Sequence, residues 1–223
     1  MTNKRLLWRL PFLLFLILGT VYIVRQQRSM PYQHDKGQIF GTFYHITYQN
    51  DSSIQADILA ELQKVDDALS MFNKESIISH INRGEDVETN DMFESVFNLA
   101  ESISDKTDGA FDITVAPLVN AWGFGFKTGN PPTKHMVDSL RAIVGYNKVK
   151  LVNHRIQKTD PRVMLDCSAI AKGYGCDVVA RLLEKRGIKN YMVEIGGVVV
   201  THCSSEMRRP WKIGVTKPSD DSL

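Results

Sequence analysis

The chain has 223 residues, with 27 Lys and Arg against 25 Asp and Glu, a net charge of +2 with histidine neutral. At 43% hydrophobic and 23% charged it carries far too much apolar content for a disordered chain. Near-neutral charge argues against a dedicated nucleic-acid binder, which would carry a basic stripe. The length suits one large domain or two small ones, without repeats or low-complexity tracts.

The first segment stands apart. Lys4, Arg5 and Arg9 precede an uncharged run from Leu10 to Val24, closed by Arg25 and Arg28. The run is long for a signal-peptide core and short for a span of about 20 residues. Counted from Leu6, with Arg9 reaching the interface, it suffices. No small-residue cleavage site and no cysteine near Gly19 follow it. Residues 1–28 therefore read as an uncleaved membrane anchor, with a cleaved signal peptide as the alternative. The preceding basic residues place the N-terminus in the cytoplasm. Residues 29–36 read as a linker and 37–223 as the folded domain.

Within that domain Ile39 to Tyr48 alternates and is rich in aromatic and β-branched residues, so it reads as a strand. Ser52 or Ser53 then opens a helix with Ile54, Ile58, Leu62, Val65, Leu69 and Phe72 on one face. Asn90 and Asp91 begin a second helix that ends before Gly109, and Thr133 begins a third. Short strands are expected at Phe111–Val115, Val149–Val152, Arg155–Lys158 and Val163–Asp166. Ile170 to Arg186 reads as helix, and Tyr191–Ile195, Val198–His202 and Trp211–Thr216 as strands. Helices and strands mix without βαβ alternation, so the fold class is α+β, with mainly antiparallel sheets and packed helices. Cys167, Cys176 and Cys203 cannot all pair within one chain and none lies in a CxxC, which excludes a disulfide framework.

Four stretches carry more glycine and charge than a core requires. In Thr107-Asp108-Gly109-Ala110-Phe111-Asp112-Ile113-Thr114, Asp108 and Asp112 suit turns and caps. The following Trp122-Gly123-Phe124-Gly125 either packs as core, the reading spacing favours, or lets a flat ring approach the backbone. In Leu165-Asp166-Cys167-Ser168-Ala169-Ile170-Ala171-Lys172, an acidic residue enters a helix whose small first turn and lysine suit a phosphate. Asp166 serves equally well as a simple cap. Val193-Glu194-Ile195-Gly196-Gly197 reads as a hairpin or a ligand contact. Lastly, Pro210-Trp211-Lys212-Ile213 suits a sheet edge.

Taken in this order, with Phe40-Gly41-Thr42 near the start and Met71-Phe72 after the first helix, these stretches resemble the ApbE family of FAD:protein FMN transferases over Gly37 to Pro218. The resemblance implies FAD as substrate and Mg²⁺ as cofactor. FMN would move from FAD to a threonine hydroxyl of an acceptor protein, typically a membrane redox-pump subunit, with AMP leaving. Carried over by position, Phe40 and Phe72 would contact the flavin or adenine rings. Ala121, Trp122 and Gly123 would line the pocket, and Asp166 and Lys172 would bind polar groups of FAD. The Ala169 carbonyl would be a magnesium ligand, with Glu194, Gly196 and Gly197 around the same pocket. An extracytoplasmic domain behind the anchor, on the periplasmic side of the inner membrane, is also implied.

One departure accompanies the resemblance. The remaining metal ligands and a general base lie in Asp-Ala-x-x-Thr-like and His-x-x-Asp-Pro-like segments beyond the Pro-Trp stretch, and these 223 residues contain neither. None of His34, His45, His80, His135, His154 and His202 matches a position of the family pattern. The domain is therefore expected to be truncated at its C-terminus. A flavin-binding protein without catalysis and a metal-dependent FAD pyrophosphatase remain as alternatives.

Overall fold

A computed structural model describes residues 4–124 and 131–215, with side chains of 4–10 and 26–29 left aside. Gly125, Thr216 and Pro218 lie outside it, as do the side chains of Lys4, Arg5, Arg9 and Arg28. The first element, α1, runs from Lys4 to Ser29 and contains Pro11. Its described apolar residues, from Phe12 to Val24, are exposed. Among the described residues no helix is long and apolar enough to cross a membrane.

A four-stranded antiparallel sheet follows, in the order β1-β2-β5-β6. Its strands are β1 (Tyr32–Ile39), β2 (Thr42–Gln49), β5 (Tyr191–Ile195) and β6 (Val198–His202). Where a linker was expected up to Lys36, residues 32–36 instead form most of β1. Polar alternation hides this strand: its inward positions are Gln33, Asp35 and Gly37, paired with Tyr48, Ile46 and Tyr44. Gly37 is glycine for a packing reason, since a Cβ there would sit 2.7 Å from the Tyr44 hydroxyl.

The inner face of the sheet packs on α2 (Gln55–Leu69) and α7 (Ser168–Lys185). Tyr44, Ile46, Tyr48, Val193 and Ile195 meet Ile58, Leu62, Cys176, Val179 and Leu183 in one core. Each such side chain contributes roughly 1.5–3 kcal/mol by leaving water. A second core lies on the far side of the same two helices. There Val65, Leu69, Ala171 and Val178 pack with α3 (Ile77–Asn82), α4 (Asp91–Lys106), the segment 163–167 and the hairpin β3 (Val149–Val152) and β4 (Arg155–Lys158). α7 therefore buries a wide face shared between the two cores, and leaves Asp177, Arg181, Glu184 and Lys185 exposed on one stripe. The α+β class with antiparallel pairing matches expectation.

Helix starts follow their capping residues. Asn90 accepts from Phe93 N at 2.9 Å at the head of α4, and Thr133 accepts from Met136 N at 3.3 Å at the head of α6 (Lys134–Arg141). At α2 the N-cap is instead Ile54, without a side-chain cap bond, and Ser53, one residue earlier, accepts from Gln55 N at 3.1 Å. α2 ends at Leu69, however, with Ser70 extended, so Phe72 falls off the helical face and is 60% exposed.

Three expected strands are not formed. Phe111–Val115 and Val163–Asp166 share a single parallel bridge, Val115 to Met164. Pro117, with its fixed φ, suits the first turn of a helix, and α5 (Ala116–Ala121) starts there and cuts the run short. Residues 211–215 form no ladder; Trp211 instead sets its ring edge against Tyr32 and donates from Nε1 to the His202 carbonyl at 3.2 Å.

Burial pushes the Cys167 and Cys176 thiols up to about 12, whereas Cys203 is exposed. At pH 8 the two buried groups are almost wholly neutral, because the thiolate is the disfavoured form. The native chain is expected to take up one equivalent of an alkylating reagent, at Cys203, by intact mass. Rapid labelling of all three would contradict this burial. Folding stability contributed by the two raised thiols is complete below their unfolded pKa of about 8.5 and is lost as pH rises toward 12.

Candidate functional site

The site forms where four chain turns converge at one end of the sheet. Phe40 and Gly41 make the two-residue turn between β1 and β2, both at positive φ (52° and 71°). A left-handed phenylalanine is strained, of order 1–3 kcal/mol, and such strain concentrates at binding sites. Packing holds it there: Gly175 of α7 leaves room for the ring, and a Cβ at Gly175 would lie 2.8 Å from Phe40 Cε2.

Phe40, Val65, Leu69, Ser70, Met71, Phe72, Phe124, Ser168, Ala171 and Lys172 enclose a cavity of about 230 Å³. Small-molecule sites usually span about 300–1,000 Å³, so this one suits a single ring system rather than a whole dinucleotide. Three aromatic rings, of Phe40, Phe72 and Phe124, lie on it with Lys172, which has no carboxylate partner among the described residues. Lys172 stands within the first two turns of α7, whose N-terminal end carries partial positive charge. The cavity therefore offers flat apolar faces beside a cation and a helix start, a combination that fits an aromatic ring bearing a phosphate.

The remaining sequence candidates take distinct places. Gly196 adjoins Lys172: at φ +56° its Cβ would meet Thr42 at 2.8 Å and Lys172 Cδ at 3.0 Å. Together with Gly197 (φ +88°) it makes the tight β5–β6 hairpin turn. Gly197 N donates to Glu194 Oε1 at 2.6 Å, and Glu194 Oε2 pairs with His45 Nδ1 at 2.7 Å, which turns Glu194 to the opposite face of the sheet. Asp166 is buried and does not line the cavity; its Oδ1 accepts from Ser168 N at 2.7 Å, and it stands one residue ahead of Cys167, the N-cap of α7, which has no side-chain cap bond. Ala169 lies exposed on the first turn of α7. Ala121 is the last residue of α5 and Trp122 and Gly123 follow it; none of the three lines the cavity, whose wall is reached instead by Phe124.

Core packing of Trp122 and Phe124, favoured by spacing, is overturned: they are 54% and 82% exposed. The turn-and-cap reading of Asp108 and Asp112 holds. Asp108 and Gly109 are left-handed behind α4, and Asp112 accepts from Thr114 N and Oγ1 at 2.7 Å and from Tyr146 N at 2.8 Å. Ser70 and Ser168 were not singled out for the site. Ser168 lies within the Leu165–Lys172 stretch, whereas Ser70, next to Met71-Phe72, offers no signal of its own.

No three His, Cys, Asp or Glu side chains among the described residues converge as a metal site. Asp166 has one oxygen engaged by Ser168 N, and the Ala169 carbonyl would add a single donor. These do not satisfy Mg²⁺, which takes near-octahedral oxygen coordination.

The ApbE family model matches residues 40–223. FAD:protein FMN transferases of Vibrio cholerae and Haemophilus influenzae are 36% and 37% identical over 199 and 200 residues, covering 84% and 82% of this chain. The chain spans about 60% of the length of these curated relatives, 60% and 58% respectively. Among solved structures, the flavin transferase ApbE from Vibrio cholerae superposes with a TM-score of 0.79 at 34% identity, covering 85% of this chain and 65% of the other. The apo flavinyl transferase ApbE of Pseudomonas stutzeri superposes at 0.75 with 27% identity, covering 83% and 66%. With this agreement of sequence, fold and ordered motifs, the chain belongs to the ApbE family.

Proposed function

We propose that the chain carries the flavin-binding part of an FAD:protein FMN transferase. The observation that supports it is the convergence of Phe40, Phe72 and Lys172 on one cavity at the head of α7. In the proposed reaction a threonine hydroxyl oxygen of an acceptor protein bonds to the phosphorus on the FMN side of the pyrophosphate. The bond from that phosphorus to the bridging oxygen breaks, AMP leaves with the electron pair, and the hydroxyl proton passes to a base. Phe40 and Phe72 stack on a ring of FAD and exclude water from it. Lys172 and the N-terminal end of α7 neutralise phosphate charge, which grows on the leaving group as the bond breaks. Mg²⁺, when bound, would add further neutralisation, but the described residues do not form its site and no step is drawn through it.

The acceptor reading extends to a subunit of a membrane redox pump. α1, with apolar residues exposed along Phe12 to Val24, is proposed to hold the domain at the extracytoplasmic face of the inner membrane. Flavin binding without transfer is a second reading. It is favoured because Lys172 is the one titratable side chain among the described residues lining the cavity, which leaves no base beside it.

Incubation with FAD, Mg²⁺ and an acceptor protein separates these readings. Transfer predicts AMP together with a fluorescent acceptor band that survives denaturing electrophoresis. AMP with free FMN instead would indicate hydrolysis, and retention of intact FAD would indicate binding alone.

A further inference from the structure

The two walls of the cavity belong to segments about a hundred residues apart, and one short helix touches both. At the N-terminal end of α3, Ser76 Oγ donates to the Ser70 carbonyl at 2.6 Å, and Ser79 Oγ donates to the Met71 carbonyl at 3.3 Å. Those contacts hold the wall that carries Phe72. At the other end, Asn82 reaches across to Leu165. Its Oδ1 accepts from Leu165 N at 2.7 Å and its Nδ2 donates to the Leu165 carbonyl at 2.8 Å.

Leu165 needs such a partner. Its residue is fully buried, and its segment has a single ladder contact, through Met164. Without Asn82 both backbone groups would lack the strand neighbour that buried peptides require. The side-chain amide, using one of its N–H donors and its carbonyl oxygen, replaces a neighbouring peptide unit. The chain then passes directly into the other wall: Asp166 N donates to the Ile113 carbonyl at 2.7 Å, and Asp166 Oδ1 accepts from Ser168 N at the first residue of α7.

We propose that Asn82 is a positioning residue for this site, fixing the Leu165–Asp166 backbone and thereby the height at which the first turns of α7 present Ser168 and Lys172 to the cavity. Asn82 touches no ligand itself; its effect on flavin rests on the flavin-binding reading above. Its effect on the backbone does not.

The test uses the full chain and two readouts, amide hydrogen exchange over residues 165–172 and FAD affinity by fluorescence titration. Asn82→Ala removes both bonds, and Asn82→Asp keeps the shape and the acceptor but sets a carboxylate oxygen against the Leu165 carbonyl. Lys158→Met serves as control, because Lys158 Nζ donates to the Ile81 carbonyl at 2.6 Å on the same helix end without touching Leu165. Both Asn82 variants are expected to speed exchange at Leu165 and Ser168 by about tenfold or more and to weaken FAD by about tenfold. Lys158→Met is expected to leave both readouts unchanged. Unchanged protection in the Asn82 variants overturns the proposal whether or not FAD binds. Lost protection with unaltered FAD affinity overturns the positioning role, and so does an equal loss in Lys158→Met. A parent chain that binds no FAD sinks the flavin reading, while hydrogen exchange still decides what Asn82 holds in place.

Discussion

Tyr48→Phe is expected to lower folding stability by about 2–4 kcal/mol, although it removes a single oxygen atom. Tyr48 is fully buried, and its hydroxyl donates to Asp35 Oδ2 at 2.6 Å while accepting from Ile54 N at 2.7 Å, the residue that opens α2. Asp35 is also buried and accepts on its other oxygen from Ser53 Oγ at 2.9 Å. Phenylalanine would leave a buried carboxylate oxygen and a buried peptide N–H without partners, and orphaned groups of this kind each cost about 1–3 kcal/mol. Urea unfolding is expected to show a lower midpoint with an unchanged slope, since the exposed surface does not change. A shift below about 0.5 kcal/mol would mean that water reaches these groups. Burial, and then the hydrogen bond to Asp35, raise the Tyr48 pKa above its ordinary value of 10.0. The stability linked to that shift is therefore present below pH 10 and lost as pH rises past it.

The second large effect is on ligand affinity. Lys172→Ala is expected to weaken FAD binding by about 10- to 100-fold, the range set by one charged hydrogen bond of about 1.5–3 kcal/mol. Lys172→Arg should keep much of the affinity, because the charge survives. The loss should shrink at high salt, since the cavity is open enough for screening to act. Equal affinity in parent and alanine variant would place the phosphates elsewhere. Stability should barely change, because Lys172 has no carboxylate partner among the described residues to leave behind.

Several features of this fold were legible in the sequence because the responsible residues act locally. Asn90 and Thr133 cap the helices they were expected to cap, and the alternation in Tyr191–Ile195 and Val198–His202 marks paired strands. β1 escaped notice because its inward side is Gln33, Asp35 and Gly37. Their burial makes sense only with Tyr44 and Tyr48 across the ladder. Phe72 shares the helical spacing of α2, yet the helix stops at Leu69, and that termination frees the ring for the cavity.

The site was legible in part. Phe40, Phe72 and Lys172 meet at the cavity, and Gly196 abuts Lys172, because each lies at a turn or helix end that its own motif encodes. Glu194 has its carboxylate engaged by Gly197 and His45, and Asp166 has one oxygen engaged by Ser168. These bonds depend on strand register and on which oxygen is free. Asn82 carries no local signal at all, since its partner Leu165 lies 83 residues away.

The most direct test of the central claim is an equilibrium titration of the full chain with FAD, followed by flavin fluorescence, with and without Mg²⁺. The account predicts saturable binding of one FAD per chain, with a change in flavin fluorescence that persists when metal is withheld. A folded chain that shows no saturable FAD binding under either condition would contradict it.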